Sequence, residues 1–194
     1  MNTIITEMTD QGEVPVDVYQ KLASSRILFI NSNIDDKLAS DIVATLLVLD
    51  SENSEEKISL FMNTGGGSIR NVLMIYDAMK MLQSPIETIC VGSVLDEAVA
   101  LLCSGTPGMR FATKNSFISV SQLENQHFSM GDLSDAKKML DIHNINNKNM
   151  MEIIAKNTHK SLKQVLSDFD RKVFLTPQQA VQYGLIDQVI NSKK

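Results

Sequence analysis

The segment from Ile89 to Leu102 constrains the fold more than any other part of the chain. It runs as an apolar strand to Gly92, turns, and continues as an apolar helix. A strand–turn–helix of this kind raises one side chain above the end of a sheet, which is how acyl-transfer enzymes present a nucleophile. The residue predicted at the apex is Asp96, where such an enzyme has Ser, Thr or Cys. The segment therefore predicts the framework of a hydrolase site without its nucleophile.

Strand and helix patterns alternate along the chain, which predicts an α/β fold with a parallel or mostly parallel sheet. Apolar runs predict strands at residues 26–31, 57–63, 86–92, 109–112, 116–122 and 186–190. Apolar stripes and capping signals predict helices at residues 35–50, 69–82, 96–103, 133–158, 162–168 and 177–183. Residues 1–20 have no usable periodicity and are expected to form a mobile N-terminal arm on a single domain of residues 21–194.

Three of these helices have predicted buried faces. The stripes are Leu38, Ile42, Leu46 and Leu49 in the first, Ile69, Val72, Leu73, Tyr76, Met79 and Leu82 in the second, and Leu140, His143, Ile145, Met150, Ile153 and Ile154 in the longest.

The charge and composition of the chain argue against several classes of partner and site. The formal net charge of −5 argues against nucleic acid or an anionic membrane, and no run of about 18 apolar residues predicts a membrane span. The first ten residues lack the basic start and apolar core of a signal peptide, so a cytoplasmic location is expected. Cys90 and Cys103 lie in apolar segments and are expected to be core residues. No Cys/His cluster has metal-ligand spacing, so neither a metal nor a cofactor is expected.

A glycine-rich turn, Asn63-Thr-Gly-Gly-Gly-Ser, joins a predicted strand to a predicted helix. Its backbone N–H groups could receive an anion such as a carbonyl oxyanion. It lacks the Lys and the spacing of a phosphate loop, so nucleotide binding is disfavoured. The alternative is that these glycines serve only close packing, which is the commoner role of such turns.

An ordered set of blocks resembles the ClpP family, the serine peptidase rings that work with AAA+ unfoldases. The resemblance covers nearly the whole chain. Its blocks are Asp17-Val-Tyr, Asn63-Thr-Gly-Gly-Gly-Ser-Ile, Ile75-Tyr-Asp-Ala-Met, Ile89-Cys-Val-Gly, Leu101-Leu-Cys-Ser-Gly, Arg110-Phe-Ala, Asn115-Ser, Asp170-Arg171 and Tyr183-Gly-Leu-Ile-Asp. The resemblance implies the layered β/α spiral shared with crotonases, with a long handle helix.

The resemblance places the family's catalytic triad on altered residues. The nucleophilic Ser falls on Asp96, the His on Ser121 and the Asp on Lys172. The oxyanion-hole amides fall on Gly66 or Gly67 and on Glu97. The two Pro residues usual beside these motifs are replaced by Gly65 and Leu123. The resemblance thus implies a catalytically silent, ClpR-like subunit.

Two active alternatives remain open at this stage. Ser121 and Lys172 could form a Ser–Lys dyad, although Lys172, expected to be partly buried, could equally pair with Asp96 across the vacant site. A crotonase-like acyl-CoA enzyme could use Asp96 or Glu97 as its carboxylate. His127, His143 and His159 are expected to lie away from the site.

The resemblance also implies assembly. The handle region, about residues 123–158, would stack heptameric rings into a tetradecamer, and Asp170 and Arg171 would link the rings. The rings could contain this chain alone or mixed with a complete ClpP. An AAA+ unfoldase would dock near Phe61 and Leu82, a pocket that has lost aromatic residues.

Overall fold

A computed structural model describes residues 4–9, 12–121 and 133–190, with the backbone alone for residue 9 and for residues 133–136. The strands are β1 Ile4–Thr9, β2 Gly12–Asp17, β3 Ile27–Ile30, β4 Ile58–Thr64, β5 Ile86–Leu95, β6 Arg110–Thr113, β7 Phe117–Val120, β8 Val173–Leu175 and β9 Gln188–Ile190. The helices are α1 Val18–Ser24, α2 Asp36–Glu52, α3 Ile69–Met81, α4 Val99–Leu102, α5 Leu133–Thr158, α6 Leu162–Asp170 and α7 Pro177–Tyr183, and a 3-10 turn, Asp96–Ala98, precedes α4.

The main sheet is mostly parallel, as the alternating pattern predicts. Strands β3, β4, β5, β6 and β9 lie in that order, and every pairing along this path is parallel. The second half of β5 leaves β6 and pairs in parallel with β7, and β8 adds to β7 antiparallel. The expected α/β class is confirmed. The short strand β8 and its antiparallel pairing were not predicted, since three residues carry no readable alternation.

The core lies between this sheet and the helices. β4 is buried along nearly its whole length, as expected for a central parallel strand. The apolar face of α2 is buried through Ala39, Ile42, Leu46 and Leu49, close to the predicted stripe. On α3 the prediction was partly wrong, because Ile75 is fully buried whereas Leu73, Tyr76 and Leu82 are only partly buried.

Helix α5 is buried over only part of its length. Met150, Met151 and Ile154 belong to the core, whereas Leu140 and Ile145, which the sequence predicted to be buried, are exposed. The reason is tertiary, since the first part of the helix lies beyond the elements that cover the second part. The described portion of this chain contains no helix with a long enough apolar stretch to cross a membrane.

The N-terminal region is more ordered than the sequence suggests. Strands β1 and β2 pair antiparallel, with Ile4 opposite Asp17. Helix α1 then begins at Val18, where the Asp17 side chain accepts hydrogen bonds from two backbone N–H groups as an N-cap, and it continues past the expected boundary at residue 20. The sequence analysis did not predict this strand pairing. The short polar strands pair with each other, which single-strand periodicity does not reveal.

Both cysteines are buried and free, as predicted. Burial raises the pKa of Cys90 to about 11 and that of Cys103 to about 12. Neither is therefore a thiolate near neutral pH, and both are inert core residues.

Candidate functional site

The glycine-rich turn after β4 forms one wall of the site. Gly66 has φ +105°, and its N–H donates to the Thr64 hydroxyl at 3.1 Å. Gly67 packs directly on Ile34, so that a Cβ at Gly67 would lie 2.5 Å from the Ile34 carbonyl oxygen. A side chain at Gly66 would meet the carboxylate of Glu97. Close packing therefore requires both glycines, and the turn also brings the Gly67 amide next to Glu97.

The strand-to-helix turn is sharpest at Asp96. The sequence placed the end of the strand at Gly92, but β5 continues to Leu95, and the turn begins only there. Gly92 instead lets the strand pass the side chain of Asn63, which a Cβ would meet at 2.6 Å. Asp96 itself has φ +53°, a left-handed conformation that is strained for a residue other than glycine. The apex is thus a nucleophile elbow in its backbone geometry.

Ser121 lies against this apex. Its hydroxyl donates a hydrogen bond to the Asp96 carboxylate, and both residues contribute to one cavity. The contact follows from the sheet. Leu95 on β5 pairs with Ser119 on β7, and Asp96 and Ser121 come directly after these paired strand ends, so they lie close together. Ser121 is largely buried.

Lys172 also lines this cavity, immediately before β8. It has φ +50° and is exposed, so the expectation of a partly buried lysine was wrong. The antiparallel pairing of β8 with β7, in which Val173 lies opposite Val120, brings it to the site. Asp96, Ser121 and Lys172 are the three positions that the resemblance assigned to the triad. All three line one cavity of about 920 Å³.

Glu97 has the most unusual environment at the site. The residue is only 2% exposed; its Oε2 accepts a hydrogen bond from the Gly67 N–H at 3.3 Å. Its Oε1 has no hydrogen-bond partner within the part of the chain that the structure describes. Burial raises the pKa of Glu97 to about 7, against the lowering effect of hydrogen bonds from its own backbone N–H and from that of Gly67. The negative charge of Asp96 adds to the increase. The Gly67 amide is therefore directed at a buried carboxylate.

The opposite wall of the cavity was not predicted. Asp36, in the first turn of α2, accepts hydrogen bonds from the Asn71 amide at 2.9 Å and from the Arg70 guanidinium at 3.1 Å. These two hydrogen bonds, with the charge of Arg70, lower the pKa of Asp36. Asn71 is buried and also donates to the Ile34 carbonyl. No local motif marks this arrangement, because its partners come from two helices that are distant in sequence.

Asp170 and Arg171 lie at the end of α6, immediately before Lys172. Both are exposed, and the Arg171 N–H donates to the Asp168 carbonyl as part of the helix C-cap. They are therefore at the surface beside the cavity rather than inside it.

Phe61 belongs to an aromatic cluster that the sequence did not reveal. It stacks on Phe29 with a centroid separation of 5.2 Å, and Phe29 meets Tyr19 edge-on at 5.8 Å. A cavity of about 530 Å³ lies beside Tyr19 and Phe29. Leu82 is partly buried against the core at the end of α3. The aromatic surface is thus built mainly from α1 and β3, not only from the strand that holds Phe61.

Neither described histidine lines the main cavity. His143 lies on α5, and His159 follows that helix and is exposed. His127, Leu123 and the start of the handle region lie outside the described residues. No group of three or more His, Cys, Asp or Glu side chains that could hold a metal occurs among the described residues.

Comparison with known proteins agrees with this architecture. The family model described as "Clp protease" matches residues 10–193. The chain is 36% identical over 192 residues to "ATP-dependent Clp protease proteolytic subunit 2" of Streptomyces avermitilis, covering 97% of this chain and 94% of that relative. It is 35% identical over 194 residues to "ATP-dependent Clp protease proteolytic subunit" of Deinococcus radiodurans, covering 98% and 92%. Subunit 1 of Tropheryma whipplei is 37% identical over the same length, with 98% and 92% covered. The chain therefore belongs to the Clp protease family.

Proposed function

We propose that this chain is a catalytically silent ClpP-like subunit with a structural or regulatory role in ATP-dependent proteolysis in the cytoplasm. The observation that carries the proposal is the apex at φ +53°, which bears Asp96 hydrogen-bonded to Ser121. The backbone holds the shape of a nucleophile elbow, while the side chain at its tip is a carboxylate. The scaffold is thus kept and the reacting atom is not.

The altered residues explain why peptide hydrolysis should be absent. Attack by a carboxylate on a peptide would give a mixed anhydride, and the charge of Asp96 would repel the developing oxyanion. Ser121 cannot act as a general base near neutral pH. Loss of a complete triad costs about 10⁶-fold in kcat in a comparable serine peptidase, which leaves only binding and oxyanion stabilisation.

Exposed apolar surface supports the assembly part of the proposal. Met139, Ile142 and Ile145 follow one another at three-residue spacing on α5, and each is more than half exposed. Phe117 and Phe174 stack on each other at the surface where β7 meets β8. Contiguous apolar surface of this kind marks interaction sites. We propose that it is buried in heptameric rings and between them in a tetradecamer, with Asp170 and Arg171 at the ring contact.

Two kinds of partner fit this subunit. A catalytically complete ClpP could share its rings and supply the active sites. An AAA+ unfoldase could dock at the apolar surface near Phe61 and Leu82, to which Phe29 and Tyr19 add aromatic area.

A Ser121–Lys172 dyad is the second candidate, because the two residues line one cavity. Against it, the Ser121 hydroxyl is directed at Asp96, and the amides of Gly67 and Glu97 lie beside residue 96 rather than residue 121. Lys172 is also exposed, which removes the apolar surroundings that a lysine base needs. An acyl-CoA enzyme that uses Glu97 is a third candidate, which a thermal shift on adding acyl-CoA would reveal.

The decisive experiment combines activity with native mass. The purified chain should neither cleave fluorogenic peptides nor gain the mass of a fluorophosphonate adduct, and it should form a large ring alone or with a co-expressed complete ClpP. Robust cleavage that is lost in Ser121→Ala would establish the dyad instead. A stable monomer that ignores the complete ClpP would contradict the assembly proposal.

A further inference from the structure

Two backbone amides flank the apex, and one of them already has an acceptor. The first belongs to Gly67 in the glycine turn and donates to the Glu97 side chain, and the second belongs to Glu97, the residue that follows the apex. In acyl-transfer sites built on such an elbow, the amide after the nucleophile and a second amide from a neighbouring loop hold the substrate's carbonyl oxygen. Here the Gly67 amide is directed at the side chain of Glu97.

An acceptor in this position excludes a substrate carbonyl in two ways. It takes the hydrogen bond that the carbonyl oxygen would receive from Gly67, and when ionised it places a negative charge where an oxyanion would develop. The carboxylate is also firmly enclosed, since the residue is 2% exposed. It cannot leave the Gly67 amide without either reaching water or displacing neighbouring side chains.

The glycine at position 66 makes room for this carboxylate. A Cβ at Gly66 would collide with Glu97 Oε2 and would lie 3.4 Å from the Asp96 Cβ. The side chain of Glu97 therefore fills a space that the glycine turn leaves open next to the apex. Among the described residues, the other carboxylate oxygen of Glu97, Oε1, has no hydrogen-bond partner, so the hydrogen bonds shown do not fully satisfy this buried group.

We propose that Glu97 closes this site from within, its carboxylate occupying the Gly67 amide that would otherwise help to hold a substrate carbonyl. This inference rests on the proposed function and adds a fourth alteration to the three at Asp96, Ser121 and Lys172. Its consequence is specific. Restoring the three side chains of a triad does not restore acyl transfer while Glu97 remains.

The first test restores the triad in three backgrounds. The triple variant Asp96→Ser, Ser121→His, Lys172→Asp is made with Glu97 kept, with Glu97→Gln and with Glu97→Met, and each is treated with a fluorophosphonate at pH 8 and followed by intact mass. We expect Glu97→Met to label about 100-fold faster than the other two, the size of effect seen on loss of an oxyanion-hole donor. Glu97→Gln should stay slow because its amide oxygen still accepts from Gly67. Equal labelling rates with Glu97 kept and with Glu97→Met would overturn the proposal.

The second test needs no restored chemistry and decides the matter if no triple variant labels. Hydrogen–deuterium exchange is measured on a peptide spanning residues 64–72 in the unchanged chain and in the single variants Glu97→Met and Glu97→Gln, with native mass and circular dichroism to confirm folding. The Gly67 amide should exchange at least tenfold faster in Glu97→Met and at an unchanged rate in Glu97→Gln. Unchanged exchange in folded Glu97→Met would overturn the proposal. Peptide cleavage by the unchanged chain would instead contradict the proposed function, a separate outcome.

Discussion

The hydroxyl of Ser121 donates a hydrogen bond to the carboxylate of Asp96, across 25 residues of sequence. The parallel pairing of β5 with β7 makes this contact possible, since Leu95 and Ser119 are paired neighbours just before the two residues. Where a triad would hold a base against a nucleophile, this chain holds a hydroxyl donor against a carboxylate. The contact stabilises the apex and has no evident catalytic use.

Removal of that hydroxyl should affect stability and not activity. Ser121→Ala deletes a hydrogen bond to a charged group and is expected to lower the free energy of unfolding by about 2 kcal/mol. Urea denaturation checks this. The control Ser116→Ala deletes a bond to a neutral acceptor, the Thr113 carbonyl, and should cost about 1 kcal/mol. An equal cost for the two variants would contradict the charge-assisted contact.

Glu97 should make the protein less stable as the pH rises. Its pKa is 4.5 in the unfolded reference and about 7 when folded, so the folded state binds the proton more tightly. Below pH 4.5 the residue is protonated in both states; the penalty for burying its charge grows between pH 4.5 and 7 and is complete above 7. At about 1.4 kcal/mol per pKa unit the penalty is roughly 3 kcal/mol.

The variant Glu97→Gln removes this penalty. Its melting temperature should exceed that of the unchanged chain at pH 8, and the difference should shrink toward pH 5. Glu87→Gln is the control. Ser59 and Lys57 already donate hydrogen bonds to the Glu87 carboxylate, so this substitution should not raise the melting temperature. A difference between Glu97→Gln and the unchanged chain that is constant with pH would contradict the raised pKa.

Gly67→Ala should be severe because of packing. The new methyl would lie 2.5 Å from the Ile34 carbonyl oxygen and 2.7 Å from its nitrogen, and both are backbone atoms that cannot rotate away. We expect a loss of more than about 3 kcal/mol, typical of strong steric conflict in a packed region. Gly108 also has a left-handed φ, of +86°, but has open space around it. Gly108→Ala should therefore lower the free energy of unfolding by only about 1 kcal/mol. Similar melting temperatures for the two variants would show that the turn can shift.

Arg110 should be a key structural residue. Its guanidinium pairs with Asp187, and one of its nitrogens also donates to the carbonyls of Cys103, Asn157 and Gly184. Arg110→Ala leaves these groups without their donor and is expected to cost about 3–5 kcal/mol in unfolding experiments. Arg70→Ala removes an exposed ion pair with Asp36 and should cost less than about 1 kcal/mol. Near-equal costs would contradict the network.

A charge on the exposed stripe of α5 should block assembly. Ile142 is 55% exposed, so Ile142→Glu should leave the subunit folded and shift its native mass toward smaller species. Asn144→Glu is the control, because it adds the same charge on nearly the opposite side of the helix. If Ile142→Glu forms the same rings as the unchanged chain, this stripe is not part of the assembly surface.

Local signals in the sequence were sufficient for much of the fold. Thr176 and Gln179 form a capping box on α7, and Gly184 ends that helix at φ +94°. Asp35 caps α2, one of the two adjacent aspartates at which the sequence allows this helix to begin. These features depend on neighbours within one turn of helix, so they can be read from a few residues. The exposure of Leu140 and Ile145 could not be read in this way, because a stripe shows which face is apolar and not what covers it.

The sequence by itself determined that a carboxylate, Asp96, stands at the apex, because strand, turn and helix there are consecutive residues. Only the tertiary structure determined which group contacts the carboxylate of the following residue, Glu97. Glu97 meets the Gly67 amide across 30 residues of sequence, and that contact depends on β4 and β5 ending side by side in the sheet. No periodicity or spacing encodes it, because a buried side chain takes its partner from whichever strand lies next to it.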